Sequence, residues 1–104
     1  MHNRVVRKAI VNKLGCEESQ GRKHIKYRFV VKGRCVATTH LPRQKEIGPG
    51  LLGDIARELY ITSPQLQDIV DCVHEREGYI EMLKRSTLLI ERAPDNVKEF
   101  LLTL

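Results

Sequence analysis

Residues 21–34 read GRKHIKYRFVVKGR, and the reading of this stretch decides the fold. Ile25, Tyr27, Phe29 and Val31 point one way while His24, Lys26 and Arg28 point the other, the period-2 pattern of a half-buried strand. Lys32-Gly33 then supplies a tight-turn dipeptide, with glycine accepting positive φ. The next segment, RCVATTH from Arg34 to His40, is β-branched enough to return as the antiparallel partner. A two-residue loop sets Val31 opposite Arg34 and fixes the register. Strict pairing from that point puts Phe29 opposite Val36 and Tyr27 opposite Thr38 on the core side. Lys26 falls opposite Thr39, and Arg28 opposite Ala37, on the solvent side. His40 lands on the core side near the strand end, so its expected role is structural first and functional second.

The same stretch holds six Lys or Arg, one His and no acid. A strand gains solubility from such a face, but it also gains the means to hold a phosphodiester. Across the chain the imbalance continues. Residues 1–45 carry twelve Lys or Arg against only Glu17 and Glu18, a balance of +10, whereas residues 46–104 carry six against eleven acids, a balance of −5. Concentrated cationic charge on one hairpin points toward a polyanionic partner, with a merely solvated face as the competing explanation.

Working outward, Val5, Val6, Ala9, Ile10 and Leu14 recur at helical spacing, and Gly15 stops that helix, so residues 3–14 are expected to be helical. Cys16 to Gln20 is a weak strand candidate. Beyond the hairpin, Gly48-Pro49-Gly50 gives a helix start, and Leu51, Leu52, Ile55, Ala56 and Leu59 form a stripe ending near Tyr60. Ser63-Pro64 opens another helix, with Ser63 as its cap. Its stripe of Leu66, Ile69, Val70 and Val73 extends through Ile80 and Leu83 if Gly78 does not break it. Pro94 begins a last amphipathic helix bearing Val97, Phe100 and Leu101.

At 104 residues the chain suits one hydrophobic core. No apolar run approaches the roughly 20 residues that span a bilayer. The first residues lack the uninterrupted apolar stretch and cleavage site of a signal peptide. Cys16, Cys35 and Cys72 are odd in number and widely spaced, which favours free thiols in a reducing cytoplasm. They form no tight ligand pair with His24, His40 or His74, so neither a metal nor another cofactor is expected. No P-loop, GxSxG or HExxH is present. Cys72-Val73-His74 resembles a thiol and its base, yet residues two apart on a helix diverge, and a structural reading is favoured.

The order helix, three strands, helix, with Leu14-Gly15 closing the first helix, GRKHIKYRF, RCVATTH and then KEIGPGLLGDIARELYIT, resembles the HicA-type toxins over about residues 4–62. These are small messenger-RNA interferases with a fold related to the double-stranded RNA-binding domain. The resemblance implies an α+β fold, α-β-β-β-α, with two helices on one face of a three-stranded antiparallel sheet; residues 63–104 lie beyond it and are expected, from their apolar stripes, to be an appended helical extension. The resemblance further implies an RNA-binding toxin that acts as a metal-independent endoribonuclease on mRNA, and a cognate antitoxin protein as partner. The family carries Gly-Ser-His on its second strand, whereas Gly21 is here followed by Arg22-Lys23-His24. Alignment on Tyr27-Arg28, which keeps the core alternation in step, places His24 on the family's catalytic histidine and Lys23 on its serine; alignment on Gly21 places Lys23 on the histidine instead.

Cleavage of RNA without a metal needs a group to deprotonate the 2′-hydroxyl, a group to protonate the leaving 5′-oxygen, and positive charge for phosphorus. A histidine can serve as general base or acid, and cations stabilise the developing charge. His24 is therefore the candidate catalytic residue, and Arg22, Lys23, Lys26, Arg28, Lys32, Arg34, Arg43 and Lys45 are the candidate nucleic-acid contacts. Two other readings stand beside it: a non-catalytic RNA- or DNA-binding module, and an interaction protein whose hairpin meets an acidic partner. For residues 63–104, with their many apolar side chains and net negative charge, the candidates are core enlargement, a homodimer interface, and an acidic cover for the basic hairpin, in that order.

Overall fold

The computed structural model describes residues 1–21, 23–71 and 76–104. It is an α+β protein in which α1 (Asn3–Lys8), β1 (Glu17–Gln20), β2 (His24–Val31), β3 (Arg34–Pro42) and α2 (Pro49–Glu58) follow in order. Among the described residues, four further helices come after: α3 (Ser63–Asp71), α4 (Arg76–Lys84), α5 (Thr87–Arg92) and α6 (Asp95–Leu102). The strands form one antiparallel sheet in the order β1-β2-β3, leaving β3 at an edge.

The expected first helix is present, but its second half, Ala9–Lys13, widens into a π turn. The Leu14 amide donates to the Ala9 carbonyl five residues back, at 3.2 Å. Val6, Ala9, Ile10 and Leu14 are buried, whereas Val5 is 44% exposed and leaves the stripe.

In the hairpin, Lys32 (φ 50°) and Gly33 (φ 78°) both take positive φ, as a type I′ turn requires, and Val31 faces Arg34. The strict register then fails. Val30 pairs with Cys35 but Phe29 pairs with Ala37, so Val36 is an extra residue in a β-bulge. From there Tyr27 faces Thr39, Arg28 faces Thr38 and Lys26 faces His40. The cause is the tail of β3. Without the bulge Leu41 would point to water and His40 into the core; with it Leu41 is 1% exposed and His40 is at the surface. Burying a leucine contributes about 2 kcal/mol, whereas burying an unpartnered imidazole costs free energy, so the slip is favoured.

The Tyr27, Phe29, Val31, Val36, Ala37, Thr39 and Leu41 side is buried. Against it lie Ile55, Ala56 and Leu59 of α2 and its end, and the same apolar cluster takes in Leu66, Ile69, Tyr79, Leu83, Leu89 and Leu101 from the later helices. The Tyr79 ring meets Phe29 edge-on, with centroids 4.6 Å apart, and its hydroxyl donates to the Leu59 carbonyl at 2.8 Å. Arg76 donates to the Leu14 carbonyl at 3.0 Å and to the Val30 carbonyl, with its guanidinium 4.7 Å over Phe29. Lys13 Nζ donates to the Ile69 and Val70 carbonyls at 2.8 Å each, which satisfies acceptors near the end of α3.

The start of α3 differs from the sequence reading. Thr62, not Ser63, caps it: the Gln65 amide donates to the Thr62 hydroxyl at 3.2 Å, and the Thr62 amide donates to Gln65 Oε1 at 2.9 Å, a reciprocal capping box. Gly78 sits inside α4, and α5, capped by the Ser86 hydroxyl, is a separate helix that apolar periodicity did not separate. The Cys72-Val73-His74 motif lies outside the described residues. No described helix is long and apolar enough to cross a membrane.

Candidate nucleic-acid interface

The sheet face opposite the buried one carries the polar side chains of the strands. The alternation of β2 puts His24, Lys26 and Arg28 on it, all exposed. The β1–β2 connection is drawn tightly against this end of the strand: a Cβ added to Gly21 would stand 2.5 Å from the His24 carbonyl oxygen, so only glycine fits. Arg43 reinforces the same corner, donating to Gln20 Oε1 at 2.8 Å and to the Gly21 carbonyl at 3.0 Å.

The nine sequence-derived positions do not form one patch. His24, Lys26 and Arg28 share a face and Arg43 is fixed beside their upper end. Lys23 is exposed just before the strand. Lys32 and Arg34 sit at the hairpin tip, eight residues from His24 and so roughly 25 Å along the strand. Arg34 also stacks on Phe100, 5.3 Å from the ring centroid. Lys45 is exposed in the loop before α2, where its carbonyl accepts from the Asn3 amide at 2.7 Å. Arg22 lies outside the described residues.

The cations also differ in freedom. Arg28 Nη2 is 3.5 Å from Glu17 Oε1, so part of its charge is answered on the sheet. Among the described residues, Lys23, Lys26, Lys32 and Lys45 join no ion pair. Away from this face, Arg7 donates to Glu18 and to the Tyr27 hydroxyl, which itself donates to Glu18 at 2.9 Å. The Arg7 guanidinium holds the Glu18 carboxyl below its ordinary range, and burial pushes the Tyr27 phenol up to about 12. This triad ties α1 to β1 and β2 and spends Arg7 on structure.

Alongside the free edge of β3 runs a cleft of about 800 Å³, with α2 on one side and the α5–α6 connection on the other. His24 lines it, and so does His40. Here the sequence expectation for His40 is overturned: the bulge at Val36 turns it out of the core, directly opposite Lys26. Its Nδ1 lies 3.4 Å from Glu58 Oε2. Glu58 in turn accepts from the hydroxyl of Thr39, which is fully buried, at 2.9 Å. Glu58 thus bends around the strand edge, held on the core side by Thr39 and touching His40 on the outer side.

Neither Thr39 nor Glu58 was a sequence candidate. The signal available was the spacing Val36-Ala37-x-Thr39-x-Leu41, whose odd positions are the less polar ones and already imply a slip. Glu58 carried no local signal, since it meets β3 only through folding. Cys16 is buried and Cys35 exposed, both as free thiols, and no cluster of three metal-ligating groups occurs among the described residues. Compared with protein-family models, with curated proteins and with solved structures, the chain finds no match.

Proposed function

We propose that this chain is an RNA-binding, metal-independent endoribonuclease of the HicA toxin type, with His24 in acid–base chemistry and the outer sheet face holding the phosphodiester backbone. The observation that carries this reading is the outer face itself: His24 stands on it with the unpaired Lys26, lining a cleft of about 800 Å³. An imidazole next to an ammonium combines proton transfer with charge stabilisation, which is what phosphodiester cleavage requires. Lys23, Lys26 and Arg43 surround His24 and supply the phosphate contacts, while Lys32 and Arg34 extend the track toward the hairpin tip. Messenger RNA in single-stranded form is the proposed substrate, and an acidic antitoxin that competes for the same face is the proposed protein partner.

The test is incubation of the full chain with single-stranded RNA in the presence of EDTA. Wild type is expected to cleave and His24→Ala to lose about 10²–10⁴-fold in rate, the usual worth of a general acid or base. Equal RNA integrity with both proteins would leave a binding module. In that case RNA affinity falling with slope roughly −0.7 per phosphate contact against log salt would identify nucleic acid as the partner, and no RNA binding at low salt would leave an acidic protein.

A further inference from the structure

The cleft holds a second imidazole on the same face as His24, and it comes with its own carboxylate. We propose that His40, oriented by Glu58, is a second catalytic histidine, acting as general base while His24 acts as general acid. This assignment rests on the nuclease reading above and adds to it the identity of the second proton-transfer group.

Three observations place His40 in this role. The first is position. Lys26 lies opposite His40, and His24 lies opposite Pro42, so His24 and His40 are diagonal neighbours on the outer face. Such neighbours have Cβ atoms somewhat under about 7–8 Å apart. Two imidazoles standing up from that spacing leave room for one phosphoryl group between them, each within hydrogen-bond reach of an oxygen. The second is tautomer. An ionised carboxylate only accepts, so in the contact with Glu58 Oε2 it is Nδ1 of His40 that carries the proton. Nε2 then carries the free lone pair. The third is the support. Glu58 is fixed by the buried Thr39 hydroxyl, so the carboxylate does not depend on His40 for its place.

His24 has no such carboxylate among the described residues; the cation Lys26 neighbours it instead. The asymmetry assigns the roles. His40 Nε2 takes the proton from the 2′-hydroxyl, and the resulting imidazolium is stabilised by Glu58. The 2′-oxygen forms a bond to phosphorus as the bond from phosphorus to the 5′-oxygen breaks. His24 gives its proton to that departing oxygen, and Lys26, beside both rings, faces the charge gathering on the phosphoryl oxygens. One proton enters and one leaves, no water or metal is consumed, and the products are a 2′,3′-cyclic phosphate and a 5′-hydroxyl end. Asp54, Arg57 and Arg92 also line the cleft. Arg57 and Asp54 pair with each other, which leaves Arg92 as the cation that could meet a flanking phosphate.

The experiment follows cleavage of a fluorescent mixed-sequence 20-nucleotide single-stranded RNA, and of its all-2′-deoxy counterpart, by the full chain and its variants. Wild type is expected to cut only the RNA and to leave cyclic phosphate ends by mass spectrometry. His40→Ala and His24→Ala are each expected to lower kcat by about 10²–10⁴-fold with KM within about threefold. The double variant should fall far short of the product of the two, since the groups act as a unit. Added imidazole should restore part of the His40→Ala rate. Glu58→Gln, which still accepts from Thr39, should lower kcat about tenfold with KM and Tm unchanged, a split that a purely structural role would not give. Should His40→Ala fail to fold, His40→Asn, able to hydrogen-bond Glu58, takes its place. A variant at His40 that keeps wild-type kcat while His24→Ala loses it overturns this inference and leaves the nuclease reading intact. Cleavage of the deoxy strand, or ends without cyclic phosphate, overturns it equally. A wild type indistinguishable from His24→Ala overturns both.

Discussion

The two halves of the chain carry opposite charge and dispose of it in opposite ways. In the amino-terminal half several cations stand exposed and without an ion pair, with Lys26 on the outer sheet face and Lys23 just before it. In the carboxy-terminal half three cations are answered by an acid three residues away: Arg57 by Asp54, Lys84 by Glu81 at 3.5 Å and Lys98 by Asp95 at 3.6 Å. No ion pair among the described residues joins an acid of residues 63–104 to the basic hairpin. The later helices contribute buried apolar side chains, and two of their residues reach back to the first half: Arg76 through the Leu14 and Val30 carbonyls, and Phe100 under the Arg34 guanidinium. One half presents charge and the other supplies volume.

The strongest way to break that division is to cut the chain after Thr62. The cut removes Leu66, Ile69, Tyr79, Leu83, Leu89, Ala93 and Leu101 from the core. At about 2 kcal/mol for each of the six larger side chains, the loss is about 12 kcal/mol, of the same size as the roughly 5–15 kcal/mol of net stability of a small domain. The fragment is expected to show no cooperative thermal transition by circular dichroism. A fragment that melts cooperatively would make residues 1–62 an independent unit and the division false.

Arg76 tests how the halves are joined. Arg76→Met keeps an apolar stem over Phe29 but strands the Leu14 and Val30 carbonyls, for an expected loss of about 2–4 kcal/mol in denaturant unfolding. A loss below about 0.5 kcal/mol would show that apolar contact alone joins them.

Alkaline pH probes the seam from the other side. Burial pushes the Cys16 thiol from its ordinary 9.0 up to about 12, and Tyr27 from 10.0 up to about 12. A raised acid holds its proton more tightly when folded, so this stability is fully present below pH 9 and is lost as pH rises toward 12. Cys16 alone should contribute a fall of about 2–3 kcal/mol between pH 8 and pH 11, at about 1.4 kcal/mol per pH unit. Cys16→Ala should flatten the 9–10 part of that curve and leave the Tyr27 part above 10. An unchanged curve would mean that the thiol is reached by water.

The smallest expected effect on stability sharpens the comparison most directly. Lys23→Glu with Lys26→Glu should change stability by less than about 0.5 kcal/mol, because both side chains are exposed and unpaired. The same change should reduce the salt slope of RNA binding by about 1.4, at roughly 0.7 per lost contact. Asp68→Lys on the exposed side of α3 should leave that slope as it was. Equal effects from both would erase the distinction between the halves.

Much of this was legible in the residues. The alternation of Tyr27, Phe29 and Val31 with His24, Lys26 and Arg28 set the two faces of β2, because a strand's side chains must alternate whatever surrounds it. Lys32-Gly33 set the turn, because glycine takes positive φ at no steric cost. Gly48-Pro49 and Pro94 set helix starts through their fixed backbone preferences. The capping box at Thr62 was equally present as T-x-x-Q, though the nearby Ser63-Pro64 pair offered a competing start. The placement of His40 was different in kind. A one-residue slip costs little locally, and whether β3 takes it depends on which side chain, Leu41 or His40, the helices will bury. That choice, and the meeting of Glu58 with Thr39 and His40 across eighteen or nineteen residues, exists only once α2 lies against the sheet edge. Local periodicity fixes which residues share a face within a strand, but the burial of one face by distant helices fixes the register between strands.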